Sequence, residues 1–126
     1  MVWKKQQLLA FASADDCRVS PFRADGTTYG TPTFIWSVVV GDAVFVRAYS
    51  GTRSSWYQAA LAQRAGRLHL ADRDHDVAFS PVSDQMNDLV DEAYREKYNH
   101  SRYLAAMISD RARQATLMVT PFPAET

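Results

Sequence analysis

The 126 residues, 47% of them hydrophobic, supply apolar surface for one core, so a single domain spanning residues 1–126 is expected. Fourteen basic residues balance fourteen acidic ones, which leaves no net field to attract nucleic acid or an anionic membrane surface, and neither is expected as a partner. Cys17 is the only cysteine, which excludes an intramolecular disulfide framework and fits a reducing cytoplasm; neither the opening residues nor the short apolar run 34–40 reads as a signal peptide or membrane span.

Near the start, Trp3, Gln7, Leu8 and Phe11 recur at helical spacing, so residues 3–14 are expected to form a short helix. The β-branched and aromatic runs 17–22 and 31–40 read as strands. Gly41-Asp42 joins the second of these to the run 44–49 as a tight hairpin, because glycine reaches the positive φ that such turns need. Residues 50–55 then make a Gly/Ser turn into a helix over 56–64, with serine as its cap and Gly66 as its stop. The runs 67–70 and 77–79 form a further strand pair, joined by the charged connector 72–76.

Ser83 is placed to cap a helix whose Met86, Leu89, Val90, Ala93 and Tyr94 share one face. Asp88, Asp91, Glu92, Arg95, Glu96 and Lys97 fall to its solvated face, with Asp91 and Arg95 as an i, i+4 pair. A helical turn over 103–108 and a strand over 116–120, stopped by Pro121 and Pro123, complete the chain. Strand runs broken by single helices argue against a doubly wound parallel sheet and for a mostly antiparallel sheet of five or six strands with barrel-like closure.

The turn at 50–55 is the candidate binding site. It combines the N–H groups of a helix N-terminus with the hydroxyls of Ser50, Thr52, Ser54 and Ser55 and the guanidinium of Arg53, all of them phosphate-binding parts. The competing reading makes Ser54 or Ser55 a plain cap and Arg53 a solvated charge. Trp56 and Tyr57 can stack on an aromatic ligand or pack in the core, and Tyr94, Tyr98 and Tyr103 can line an aromatic pocket or a dimer interface. Asp72, Asp74 and Asp76 begin like a calcium loop, but Val77 and Ser83 stand where glycine and a bidentate glutamate are required. His69, His75 and His100 lack ligand spacing and partner cysteines, so no metal is expected. Cys17 reads as a buried structural thiol, and no nucleophile elbow, Walker loop or dinucleotide fingerprint is present, so pattern identifies no catalytic residue.

The segment Tyr29-Gly30-Thr31-Pro32-Thr33-Phe34-Ile35-Trp36, the strand 44–49 and the segment Gly51-Thr52-Arg53-Ser54-Ser55-Trp56-Tyr57 resemble a bacterial family known only as domain of unknown function 2255. Segments 91–98 and 107–116 extend that resemblance over nearly the whole chain. More distantly, the order of these pieces is similar to the deazaflavin-dependent nitroreductase family, with Gly30 and Pro32 at its first turn, Trp56-Tyr57 at its helix start, and 98–121 as its tyrosine-rich closing segment. The resemblance implies a mostly β, FMN-binding-like split β-barrel with flanking helices, and hydride transfer from bound FMN or a deazaflavin. It places Gly30, Thr31, Pro32 and Thr33 along the ring and Arg53, Ser54 and Ser55 at a phosphate, with Trp56 and Tyr57 beside them. Thr31 and Thr33 stand where that family carries basic residues for the cofactor's acidic tail, which leaves Arg53 and Arg23 as nearby cations and keeps FMN, a deazaflavin and no cofactor all open.

Two functions follow. One is a flavin- or deazaflavin-binding oxidoreductase-like protein of unspecified reaction; the other is a non-catalytic dimeric module of the same barrel for a small aromatic or phosphate-bearing ligand. A homodimer is expected because split barrels leave an open side and three Trp, six Tyr and six Phe need burial. Gly30 is expected to need its missing Cβ, through a positive φ or through close approach to the ligand plane.

Overall fold

The computed structural model describes residues 2–122, which form α1 (Lys5–Ser13), β1 (Arg18–Pro21), β2 (Thr33–Phe34), β3 (Ser37–Val40), β4 (Ala43–Arg47), α2 (Ser55–Gln63), β5 (Ala65–Leu70), β6 (Arg73–Pro81), α3 (Asp84–Lys97), α4 (Leu104–Met107), α5 (Asp110–Arg113) and β7 (Thr116–Pro121). Pro123, the second expected stop of the last strand, lies outside the described residues. The strands make one antiparallel sheet in the order β2-β1-β5-β6-β7-β4-β3. Its two edges, β2 and β3, are consecutive in the chain, with only Ile35 and Trp36 between them. Three residue steps reach at most about 10 Å, so the edges must approach and the sheet must curl into a half-barrel.

That crossing explains why the expected strand 31–40 is two strands. The Ile35 N–H donates to the Cys17 carbonyl at 3.1 Å on one edge, while Ser37 pairs with Val46 on the other. Residues 35–36 carry the chain over the seam. The Gly41-Asp42 hairpin forms as expected, with Gly41 at φ 60° and Val40 paired with Ala43.

The expected connector 72–76 is instead mostly strand. The turn between β5 and β6 is only Ala71-Asp72, both in the left-handed region at φ 54° and 63°. The Asp16 carboxylate holds it by accepting their N–H groups at 2.8 and 2.7 Å. The aspartates that follow alternate along β6, whose inner face carries His75, Val77 and Phe79. At the end of α2 the stop is Arg64, left-handed at φ 61°, whereas Gly66 lies inside β5. Ser83 caps α3 as expected, accepting from the Met86 N–H at 3.3 Å.

Alternation in β4 divides the core. Val44 and Val46 face the concave interior with Phe11, Val19, Leu68, Phe79, Leu117 and Val119, which α1 and α2 cover. Ala43 and Phe45 face outward under α3, against Val90, Tyr94 and Met107. A strand covered on both faces reads as a continuous apolar run, as β4 does.

Gly30 does need its missing Cβ, but for a different reason from the one expected. Its φ is not in the left-handed region, and a Cβ there would stand 2.8 Å from the Pro21 carbonyl oxygen, to which Gly30 N–H donates at 2.8 Å. The close approach is backbone to backbone, with no ligand required. Gly30→Ala is therefore expected to lower stability by about 1–3 kcal/mol through overpacking, read from the urea midpoint; an unchanged midpoint would contradict that packing.

His75 lies between Trp3 and Phe11, each ring 5.3 Å from it in edge-on geometry, and its Nε2 is buried with no partner. Burial pushes the imidazole below its ordinary value. A group whose folded value is lowered costs stability as pH falls through its unfolded value, near 6.5. Between pH 7 and 5 the denaturation midpoint is expected to fall, and His75→Leu to flatten that fall; an identical pH profile in the variant would contradict it.

Candidate ligand cleft

The site is built around the last residue of β4. Period-two alternation puts Arg47 on the outward face with Ala43 and Phe45, where α3 covers it completely, at 0% exposure. Its Nε donates to Thr116 Oγ1 at 2.8 Å; one terminal nitrogen donates to Asp91 Oδ1 at 2.5 Å and the Met107 carbonyl at 3.0 Å. The other terminal nitrogen donates to the Asn87 carbonyl and side-chain oxygen at 3.1 and 3.0 Å. Tyr94 lies under the guanidinium, 5.3 Å from ring centroid to Cζ. The second carboxylate oxygen of Asp91 accepts from Arg113, which also pairs with Asp88 at 3.0 Å.

Asp91 is thus no part of the solvated face expected for it, and Arg95 pairs with Glu92 instead. Lys97 also departs from that face: half-buried, it donates to the Ser37 and Phe11 carbonyls at 2.8 and 3.3 Å, and burial lowers its ordinary value. Tyr98 beside it accepts from Ser37 N–H at 3.2 Å and donates to Ser37 O at 3.1 Å, with its hydroxyl pushed up to about 12 by burial. Cys17, fully buried at the same seam, is likewise raised to about 12 by burial and is an inert thiol.

Beside the Arg47 cluster lies a cleft of about 620 Å³. Thr33, Phe34, Ile35 and Trp36, the seam crossing, form one wall. Tyr49 and Ser50 after β4, with Ser54, Ser55 and Trp56 at the start of α2, line the cleft as well. Tyr103 and Met107 close the end next to Arg47. Trp36 is fixed by stacking on Tyr98, with centroids 4.0 Å apart and planes within 4°. The cleft therefore presents five aromatic rings, four small hydroxyls and the N-terminal turn of α2, and no carboxylate, histidine or cysteine. Its size lies within the usual range for small-molecule pockets.

Of the residues singled out from sequence, Thr33, Ser50, Ser54, Ser55, Trp56 and Tyr103 meet in this cleft, Trp56 also reaching the core. Thr31 and Pro32 are exposed and Gly30 is half-buried, all outside the lining; Thr31 Oγ1 accepts from Arg23 at 3.3 Å. Arg53 is exposed on the 3₁₀ turn Gly51–Arg53 and stands outside the lining too. Tyr57 belongs to the core, its hydroxyl donating to the Gln114 carbonyl at 3.4 Å. Neither Ser54 nor Ser55 caps α2 through its side chain. Sequence reading passed over Phe34, Trp36, Arg47, Tyr49 and Met107 as site residues. Arg47 did carry a signal, as a lone charge in an apolar strand, but its partners lie 40 or more residues away.

Among the described residues no cluster of ligating side chains could hold a metal ion, and no helix is long and apolar enough to cross a membrane. The profile of a family described as "Uncharacterized protein conserved in bacteria (DUF2255)" matches residues 7–119. No curated protein and no solved structure matches the chain.

Removing Asp91 leaves the fully buried Arg47 without a carboxylate, while Arg113 keeps Asp88. Asp91→Ala is expected to destabilise by about 3–5 kcal/mol, whereas Arg47→Met combined with Asp91→Leu should come close to the parent, because no buried charge is left alone. Denaturant unfolding of the three proteins checks both, and a double variant as weak as the single one would contradict the account.

Proposed function

The chain belongs to this uncharacterised bacterial family, which supplies no activity, and from its geometry we propose that it binds a planar aromatic cofactor of the flavin or deazaflavin class in the cleft, as a reductase-like protein with an FMN-binding-like split barrel. The observation that carries this reading is the convergence of Phe34, Trp36, Tyr49, Trp56 and Tyr103 on one cleft that is also lined by Ser54 and Ser55 at the first turn of α2. Flat apolar walls suit an isoalloxazine or deazaflavin ring, and hydroxyls with helix N–H groups suit a polar tail. The residues present fit the ring well, while Arg53, first expected to hold a phosphate, is not among those facing it.

When bound, such a cofactor supplies the hydride chemistry itself. This chain's own contribution is to position and to exclude water, through the rings of Phe34, Trp36 and Trp56 that line the cleft. The distant likeness to deazaflavin-dependent nitroreductases supports the same class. The second reading, a non-catalytic binding module, is favoured by the lack of any carboxylate, histidine or cysteine along the cleft, with Arg47 already fully engaged. A homodimer belongs to either reading, with exposed Leu9, Leu89 and Phe122 offering apolar surface to a second copy.

Titration with FMN and with a deazaflavin is expected to quench tryptophan fluorescence with one ligand per chain, and to shift the ligand's visible absorbance. Phe34→Ala should weaken either ligand by about 0.5–1.5 kcal/mol without altering the melting temperature much, because Phe34 is 58% exposed. Absence of binding by both ligands would refute the flavin reading, and reductase turnover with a nitroaromatic acceptor separates it from the binding module. Sedimentation at micromolar concentration is expected to give the mass of two chains, and a clean monomer would contradict the dimer.

A further inference from the structure

We propose that the mouth of the cleft is an anion-recognising lip formed by Arg102 and Arg111, which selects planar aromatic ligands bearing an oxyanion; this rests on the aromatic-cleft reading above. Arg102 places its Cζ 5.1 Å from the centroid of Tyr103, and Arg111 places its own 5.5 Å from that of Tyr49. The two tyrosines meet edge to face at 6.3 Å, so cation, ring, ring and cation form one continuous rim. Both rings line the cleft and are also about half-exposed, at 47% and 48%.

Both guanidiniums are exposed, and neither pairs with a carboxylate among the described residues. Arg102 donates to the Tyr103 hydroxyl at 3.0 Å, which steadies it. An arginine laid against an aromatic ring keeps its planar fork oriented and most of its N–H groups free, which is the arrangement that binds a phosphate, sulfonate or carboxylate in bidentate fashion. The charge balance makes the placement informative. The chain carries equal numbers of acidic and basic residues, yet no carboxylate lines the cleft and the cation at its base is neutralised by Asp91. The positive field at the mouth therefore comes from the lip. A ring seated among the aromatic walls is held by stacking, and the lip reads whether its substituent is charged.

The test compares ligands that share a ring and differ only in the anion: FMN against riboflavin, and 8-anilinonaphthalene-1-sulfonate against N-phenyl-1-naphthylamine. Binding is followed by quenching of tryptophan fluorescence, since Trp36 and Trp56 line the cleft. At low salt each anionic member is expected to bind about tenfold more tightly than its neutral partner, and high salt to shrink the difference. Arg102→Gln with Arg111→Gln, both surface positions, should abolish the preference while leaving riboflavin and the neutral dye unchanged. If FMN and riboflavin bind the parent equally, or the double variant keeps the preference, the lip is overturned and the aromatic cleft stands. If neither flavin binds but the sulfonate dye still wins through the two arginines, the flavin reading fails and the lip stands. No discrimination by either pair, or no binding at all, overturns the lip.

Discussion

A guanidinium withdrawn from water must find its hydrogen bonds and its counter-charge in one place, and Arg47 finds both between β4, β7, α3 and α4. Five hydrogen bonds surround it, one of them to the Asp91 carboxylate and the others to residues 87, 107 and 116. The attraction alone is no measure of stability, because desolvating both charges opposes it. What the pair supplies is geometry: α3 sits on the outer face of the sheet with Asn87 and Asp91 over Arg47, and α4 with the Met107 carbonyl turned toward it. The end of the cleft is set by that docking, since Met107 and Tyr103 belong to the segment it fixes.

A second constraint is the seam of the half-barrel. An edge strand leaves N–H and C=O groups without a ladder, a liability that folds cover or blunt. Here the exposed edge of β3 is answered at Ser37 by the C-terminal side chains of α3, Tyr98 bonding both backbone groups and Lys97 the carbonyl. The stack of Trp36 on Tyr98 then transmits the same docking to the cleft wall. One helix therefore positions the floor through Arg47 and a wall through Trp36.

Much of this was legible from local pattern. The hairpin at Gly41, the Ser83 cap, the last strand and the apolar stripe of α3, apart from Leu89, which is 53% exposed, follow from turn chemistry and periodicity, which act over a few residues. The failures share one cause, pairing across long separations. Asp91 reads as a surface charge because its partner is 44 residues away; the run 31–40 reads as one strand because nothing local marks a seam. Ala71-Asp72 is not recognisable as a turn of two left-handed residues until Asp16, 55 and 56 residues away, is seen to hold it. At the site, Ser50, Ser54, Ser55, Trp56, Thr33 and Tyr103 were identifiable from the turn, the helix start, the strand and the density of tyrosines, whereas Tyr49 and Phe34 gain meaning only when the curled sheet brings them to one cleft.

The cleft thus joins a rigid, neutralised base to aromatic walls and an exposed mouth, an arrangement suited to holding a flat ring by contact rather than to acid–base chemistry of its own. The most direct test is a crystal structure of the protein with FMN bound. The account predicts the ring between Phe34 and Trp36 on one side and Trp56 on the other, with Arg47 still bonded to Asp91. A ring bound elsewhere, or an Arg47 that leaves Asp91 to meet the ligand, would contradict it.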